Sequence, residues 1–81
     1  MNEVQMRILN LICSDYTVEN FYTDRDDTVK IYTDFGLCVW IEDDNSVFYE
    51  IESMHISHNL MLVVSEIVHS IENILNESEL V

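Results

Sequence analysis

The chain has 81 residues, 48% of them hydrophobic, and carries 16 acidic residues against three basic ones, for a formal net charge of −13. This apolar content excludes a disordered acidic tail, because such tails lack the apolar surface that offsets the entropy of ordering. The charge excludes a protein that itself binds nucleic acid, since DNA affinity needs Lys and Arg, and it argues against binding an anionic membrane surface. One Gly and no Pro exclude glycine-built phosphate loops. We expect one small domain covering residues 1–81.

Neither a signal peptide nor a membrane span is indicated, because no basic stretch precedes an apolar run and all apolar runs are short. We therefore expect a cytoplasmic protein. Cys13 and Cys38 lack the CxxC spacing of zinc or redox sites, so we expect two reduced core cysteines. The acidic turns lack the ligand register of an EF-hand loop, and we expect no metal and no cofactor.

The first segment is predicted to be a helix with Asn2 as its N-cap. Val4, Ile8, Leu11 and Ile12 fall on one stripe at helical spacing. From residue 16 to residue 52 the apolar period changes to two, which predicts strands over 16–23, 28–34, 37–42 and 46–52. The connecting turns are short, so neighbouring strands must run antiparallel as a meander.

The last segment, residues 53–76, is predicted to be one long helix capped by Ser53 or Ser57. Its apolar face consists of Ile56, Leu60, Val63, Val64, Ile67, Ile71, Ile74 and Leu75. A helix of this length is longer than the strands and would extend beyond the sheet. The predicted fold is α+β: an antiparallel meander of three to four strands, flanked by an N-terminal helix and a long C-terminal helix.

Alternate turns of a meander lie at the same end of the sheet. Six carboxylates are therefore expected together, relieved only by Arg25: Asp24, Asp26, Asp27, Glu42, Asp43 and Asp44. The last helix returns to this end with Glu72, Glu77, Glu79 and its negative dipole. Asp15 and Asp34 are expected at the opposite end. Placing like charges together costs self-repulsion, which favours a functional role for the acidity.

One face of the sheet is predicted to be buried and the other to combine aromatic and acidic side chains. The second face would hold Lys30, Tyr32, Trp40, Phe48, Glu42, Glu50 and Glu52. Carboxylates two residues apart on a strand lie about 6.6 Å apart, on the scale of successive phosphates. This face would suit a basic, partly apolar groove. Two alternatives are that the acidity serves solubility alone and that the aromatic rings pack under the first helix.

Catalysis is not expected, and no catalytic residue is assigned. Carboxylates in turns stay ionised, whereas a general acid needs an apolar pocket that raises its pKa. No Ser-His-Asp or Cys-His arrangement can be assigned from spacing, and the three histidines are expected to be structural or surface residues. A different class of function remains open: an adaptor that dimerises through Met61, Leu62 and Val68 of the last helix, with the acidity serving solubility.

Several short motifs resemble small acidic phage-encoded inhibitors that mimic DNA, in particular the type II-A anti-CRISPR proteins that block Cas9. These are Met1-Asn2 opening a helix, Asp15-Tyr16-Thr17-Val18 entering a strand, Asp34-Phe35-Gly36 in a hairpin turn, and Ser78-Glu79-Leu80 at the end. The resemblance implies an acidic surface that occupies the DNA-binding groove of Cas9. It also implies that Asp15 and Gly36 take part in binding the partner.

This chain departs from that family in one respect. The similar inhibitor has a second acidic stretch between two C-terminal helices, whereas a single apolar helix is predicted here. Uracil-DNA glycosylase inhibitors are similar in length and acidity but share no motif with this chain. The expected partner is the basic groove of a nucleic-acid-binding protein, contacted by Asp15, Asp24, Asp26, Asp27, Asp34, Gly36, Trp40, Glu42, Asp43, Asp44, Glu50 and Glu52.

Overall fold

A computed structural model describes residues 1–53 and 55–79. Leu80 of the closing motif and the side chain of Glu79 lie outside the described residues. The helices and strands are α1 Glu3–Asp15, β1 Val18–Thr23, β2 Val29–Thr33, β3 Leu37–Ile41, β4 Val47–Ile51 and α2 His58–Glu79. The strands form one antiparallel sheet in the order β1-β2-β3-β4. The predicted α+β meander between two helices is confirmed.

Helix α1 begins with a capping box. The side chain of Asn2 accepts a hydrogen bond from the Gln5 backbone N–H at 2.8 Å, and Gln5 Oε1 accepts one from the Asn2 N–H at 2.9 Å. These two bonds satisfy N–H groups that a helix start leaves without partners. The predicted cap at Asn2 is therefore confirmed, with Gln5 as its second member.

The three hairpin turns share one backbone feature. Each ends with a residue of positive φ: Asp27 at 62°, Gly36 at 86° and Asn45 at 72°. In the first turn, the Asp27 N–H donates to the Asp24 carbonyl at 3.1 Å and the Asp24 N–H donates to Thr28 at 3.0 Å; equivalent bonds close the third turn. Gly, Asn and Asp tolerate the left-handed conformation better than other residues. The sequence therefore supplies a suitable residue at all three positions.

Both helices pack on the same face of the sheet. The buried core consists of Val29, Ile31, Leu37, Val39 and Ile41 from the strands, Val4, Ile8, Leu9 and Ile12 from α1, and Ile67, Ile71 and Ile74 from α2. Each fully buried aliphatic side chain of this kind contributes about 1.5–3 kcal/mol relative to an exposed one. Neither of the two described helices covers the opposite face of the sheet.

Helix α2 begins at His58, five residues later than the predicted start at residue 53. Ser57 is the cap, since its Oγ accepts from the Leu60 N–H at 3.1 Å. The hydroxyl of Ser53 instead closes a local turn with the backbone of His55. The prediction of Ser53 as the helix start was wrong because its hydroxyl bonds within the preceding loop.

The N-terminal part of α2 extends beyond the sheet, as its length predicts. Its 22 residues span about 33 Å, against about 17 Å for a five-residue strand. Met61 and Leu62 are 47% and 55% exposed, whereas Ile67 and Ile71 further along are buried. Within the described residues, neither helix combines the length and apolar character needed to cross a membrane.

The buried side chain of Gln5 joins α1 to the sheet. It is 1% exposed, and its Nε2 donates to the Asp27 carbonyl at 2.8 Å and to the Ile41 carbonyl at 2.9 Å. With Oε1 accepting in the capping box, both N–H groups and the oxygen of this amide have a partner within the fold. Gln5 therefore fixes the start of α1 against the first turn and the end of β3.

Replacing Gln5 by Leu should lower the free energy of unfolding by about 2 kcal/mol, because two carbonyls lose their donor and the capping box loses an acceptor. Urea denaturation followed by circular dichroism measures this change. The matched control is Asn10→Leu on the exposed side of the same helix, for which we expect a change within about 0.5 kcal/mol. Equal stabilities of the two variants would contradict this role of Gln5.

Candidate protein-interaction surface

The structure places the first and third turns side by side. Val29 pairs with Ile41, so both turns leave the sheet at one end, and α1 contacts each of them there. Asn2 Nδ2 donates to the Asp43 carbonyl at 3.1 Å and to Asn45 Oδ1 at 3.0 Å, while Gln5 binds Asp27. We call this the Asn2 end. Its carboxylates are Asp24, Asp26, Asp27, Glu42, Asp43 and Asp44, and the two turns are centred about 10 Å apart.

Two of these six carboxylates build the turns. Asp24 Oδ1 accepts from the backbone N–H groups of Asp26 at 2.9 Å and Thr28 at 3.1 Å, and Asp44 Oδ1 accepts from Ser46 at 2.9 Å. The Thr28 backbone hydrogen bond lowers the pKa of Asp24, and the Ser46 backbone hydrogen bond lowers that of Asp44. Both carboxylates are therefore held ionised.

The other carboxylates of the Asn2 end are available to a partner. Asp26, Asp27 and Asp43 are exposed, and their side chains accept no hydrogen bond from the described residues. Glu42 is half-buried at the edge of the third turn. The structure thus separates carboxylates that form the turns from carboxylates that only project from them.

All three basic residues lie at the Asn2 end. Arg25 is exposed in the first turn, the Lys30 ammonium lies 3.6 Å from Asp24 Oδ2, and Arg7 on α1 pairs with Glu77 on α2. The positive end of the α1 dipole also lies here, opposite the negative end of α2. The expectation that only Arg25 relieves the charge is therefore wrong, because Lys30 also pairs with Asp24 and Arg7 with Glu77.

The opposite end of the sheet carries carboxylates and no Lys or Arg. We call it the Gly36 end, because the second turn lies there: the Asp34 N–H donates to Thr17 at 3.1 Å and the Gly36 carbonyl accepts from the Glu52 N–H at 3.0 Å. Its predicted site residues are Asp15 at the end of α1, Asp34, Gly36 and Glu52. Apart from Trp40 and Glu50 on the strands, the predicted site residues thus fall into two groups, which one strand length of about 17 Å separates.

The face of the sheet away from the helices connects these two ends. It holds Tyr22, Lys30, Tyr32, Cys38, Trp40, Phe48 and Glu50, as the strand register shows; we call it the open face. Phe48 is 51% exposed and Tyr22 43%. The alternative that these rings pack under the first helix is wrong, because both helices cover the other face.

The aromatic rings of the open face surround a cation. Lys30 Nζ lies 4.7 Å from the centre of the Trp40 ring and 5.9 Å from that of Tyr22. The rings of Tyr22 and Tyr32 stack with centres 6.0 Å apart and planes inclined by 15°. Tyr22 was missed by the sequence analysis, because a register irregularity between Val18 and Asn20 interrupts the period of β1. Tyr22 pairs with Lys30 across the first hairpin, and this pairing would have placed it on the same face as Lys30.

Trp40 Nε1 donates to the Cys38 sulfur at the base of this face. Cys38 is buried, and this burial raises the pKa of its thiol. Cys13 is exposed, so the expectation of two core cysteines holds only for Cys38. Among the residues described, no three His, Cys, Asp or Glu side chains are grouped to hold a metal ion.

A depression of about 250 Å³ lies where the open face meets the Gly36 end. It is lined by Tyr32, Thr33, Gly36, Leu37, Cys38, Glu50 and Glu52. Gly36 lacks a side chain that would occupy this space; a Cβ there would lie 3.9 Å from the Glu52 side chain. The open face thus combines rings and carboxylates with a shallow depression at its border with the Gly36 end.

Comparisons with protein-family models, with curated proteins and with solved structures gave no match for this chain. A functional argument must therefore use the geometry and charge of the surfaces described above. Their common feature is a row of aromatic rings with carboxylates at both ends.

Changing Asp24 and Asp44 together to Asn should destabilise the fold at pH 6 and have no effect at strongly acidic pH. Asn retains an Oδ1 acceptor but loses the charge that the turn N–H groups stabilise. Since the native pKa values lie below the ordinary 3.8, this stabilisation is present above that value and is lost as pH falls through the native pKa values.

Urea unfolding of the Asp24→Asn/Asp44→Asn variant and of the unmodified protein between pH 6 and pH 2 measures the difference. Asp26→Asn/Asp43→Asn serves as the control, because it removes the same charge from carboxylates that accept no hydrogen bond from the described residues. A stability difference that is constant with pH would contradict the role assigned to Asp24 and Asp44.

Proposed function

We propose that this protein inhibits a DNA-processing enzyme by occupying its DNA-binding groove, with ionised carboxylates in place of phosphates. The observation that carries this proposal is the arrangement of carboxylates at both ends of an open sheet face. In this role the chain binds the enzyme and blocks its DNA-binding groove, and it has no catalytic residues of its own. The site residues are those of the Asn2 end, the Gly36 end and the open face between them.

The dimensions of this surface support mimicry of a short duplex. The two ends are separated by about 17 Å, which corresponds to about five base-pair steps of 3.4 Å. At the Asn2 end, the two acidic turns lie about 10 Å apart. Because ordered turns and strands carry these carboxylates, they present charge to a basic groove with little ordering of the backbone on binding.

The cost of the charge supports a function beyond solubility. Solubility needs only a moderate net charge with both signs mixed, whereas this chain has a formal charge of −13 and confines its three basic residues to one end. Self-repulsion of this size destabilises the folded state. A basic partner would remove that repulsion on binding and would associate rapidly through electrostatic steering.

We propose a Cas9–guide complex as the first partner to test, because the short motifs of this chain resemble the anti-CRISPR proteins that block it. Asp15 and Gly36, which that resemblance connects with binding, both lie at the Gly36 end. A second DNA enzyme, uracil-DNA glycosylase, is the alternative target within the same mechanism. The two enzymes differ in their DNA grooves, so the binding assay below includes both.

The test compares three triple variants that remove equal charge from different surfaces. Asp26→Asn/Asp27→Asn/Asp43→Asn changes the Asn2 end, and Asp34→Asn/Glu50→Gln/Glu52→Gln changes the Gly36 end and the open face. The control, Glu3→Gln/Glu66→Gln/Glu72→Gln, changes exposed carboxylates on the helices. We expect at least one sheet-side variant to bind about ten-fold more weakly or worse, and the control to bind within about two-fold of the unmodified protein.

Binding is measured in solution by fluorescence anisotropy at several salt concentrations, with Cas9–guide complex and with uracil-DNA glycosylase. Mimicry predicts that target DNA competes with the inhibitor and that affinity falls as salt rises. Equal losses in all three variants would indicate a nonspecific charge effect and contradict the proposal. Binding that DNA does not compete with would contradict occupation of the groove.

A second candidate function is favoured by the projecting part of α2. Met61 and Leu62 are exposed there, and residues 53–65 include no carboxylate, so two copies could approach through this segment without direct repulsion. This would make the protein an acidic adaptor that dimerises through its C-terminal helix.

Sedimentation velocity over a wide range of protein concentration tests the adaptor function. A dimer that Leu62→Glu converts to a monomer, together with no DNA-competed partner, would support it. A monomer at all concentrations would exclude it.

A further inference from the structure

We infer that the open face receives arginine side chains of the partner protein, which stack on its aromatic rings and pair with its carboxylates. This inference rests on the proposed function for the identity of the partner and specifies the chemistry of the contact. It assigns the partner contact to the sheet between the two carboxylate groups. The inference depends on ring exposure, on the position of Lys30 and on the carboxylates of the Gly36 end.

The aromatic rings of the open face are exposed or half-buried. Trp40 and Phe48 lie opposite each other on β3 and β4, and Phe48 is 51% exposed. Tyr22 and Tyr32 extend the aromatic surface across β2 to the edge strand β1. Partly exposed Trp and Tyr side chains are typical anchors of protein interfaces.

Lys30 shows that these rings accept a cation. Its ammonium lies over the Trp40 ring at 4.7 Å and is paired with Asp24 at 3.6 Å. This is a combination of ring face and carboxylate that favours a positive group. Across β3, the Phe48 ring and the Glu50 and Glu52 carboxylates have no basic partner among the described residues. Strand β4 and the residue after it thus present the same combination of an aromatic ring and carboxylates, without a cation from the described residues.

The geometry favours arginine over lysine. A planar guanidinium stacks on an aromatic ring and binds carboxylates through two parallel hydrogen bonds, whereas an ammonium acts as a compact point charge. The depression beside Glu50 and Glu52 measures about 250 Å³, below the roughly 300–1,000 Å³ of small-molecule sites. It therefore has the size for a side chain rather than for a whole cofactor or metabolite.

The charge of the surface disfavours other occupants. A second copy of this chain would bring the carboxylates at the borders of one open face against those of the other, and nucleic acid would be repelled by the same groups. A purely apolar partner would remove Glu50 and Glu52 from water without providing a counter-charge, which is costly. A protein surface that presents arginine satisfies both the rings and the carboxylates.

The test uses three blocked tripeptides, acetyl-Gly-X-Gly-amide with X as arginine, lysine or the neutral isostere citrulline. The ¹⁵N-labelled protein is titrated with each one at low salt and followed by ¹H–¹⁵N NMR. The chain contains one Gly and one Trp, so the Gly36 amide and the Trp40 indole N–H can be identified readily. We expect both signals to shift with the arginine peptide, to shift several-fold less with lysine, and to remain unchanged with citrulline.

Two variants locate the contact, and a third is the matched control. Phe48→Ala removes an exposed ring, and Glu50→Gln/Glu52→Gln removes the carboxylates beside the depression. Each should weaken binding of the arginine peptide at least five-fold. Glu66→Gln/Glu72→Gln removes the same charge from the exposed side of α2 and should leave peptide binding within two-fold. The NMR spectrum of each variant also shows whether the fold is retained.

Equal shifts with arginine and lysine, or shifts confined to the helices and the Asn2 end, would overturn the inference. The result of this peptide titration can be distinguished from the result of the enzyme-binding assay that tests the proposed function. Peptide binding as expected, with no DNA-competed enzyme, would support an arginine-binding surface and reject groove occupation. Binding of an enzyme that Phe48→Ala leaves unchanged, with no response to the arginine peptide, would retain the proposed function and reject the inference.

Discussion

The hydrogen bonds of the Gln5 amide determine how the rest of this small fold is arranged. One buried side chain binds the carbonyls of Asp27 and Ile41 and accepts the N–H of Asn2. Helix α1 is thereby held against two hairpins at once, and Asn2 extends the connection to the third turn. Because an unsatisfied buried amide is costly, these bonds also exclude other registers of the helix on the sheet. The first and third turns are thereby both held against the start of α1.

The charge arrangement shows how a strongly acidic chain can remain folded. Asp24 and Asp44 contribute to stability through backbone N–H groups of their own turns, and Lys30 and Arg7 pair with carboxylates nearby. Each ion pair of this kind contributes little to stability, but both pairs lie where the turns bring most of the negative charge together. The Gly36 end receives no such compensation from Lys or Arg. Its carboxylates therefore have the greatest electrostatic gain from a basic partner.

Local pattern predicted most of the fold. The period-two segments and short turns gave all four strands to within two residues at each end, because alternation and turn residues are local signals. The start of α2 could not be decided, since Ser53 and Ser57 are equally good caps by residue type and the choice depends on the loop between them. The role of Gln5 was not recognised, although Asn2 and Gln5 have the spacing of a capping box. The placement of the two carboxylate groups could be predicted from the topology of the strands. The placement of Tyr22 on the open face could not, because it depends on the register of β1.

The positions of the start of α1 and the end of α2 have a practical consequence for work with this protein. Asn2 contacts the third turn, and Leu75 and Ser78 of α2 line a groove with Asp44 and Ser46, so these two helix ends lie beside the same acidic turns. An affinity tag or surface linker attached next to either helix end would emerge there. An immobilised copy would present the Gly36 end and the open face outward while crowding the Asn2 end. A copy captured on a resin would therefore expose mainly the Gly36 end and the open face to a partner. An untagged copy in solution would expose the Asn2 end as well.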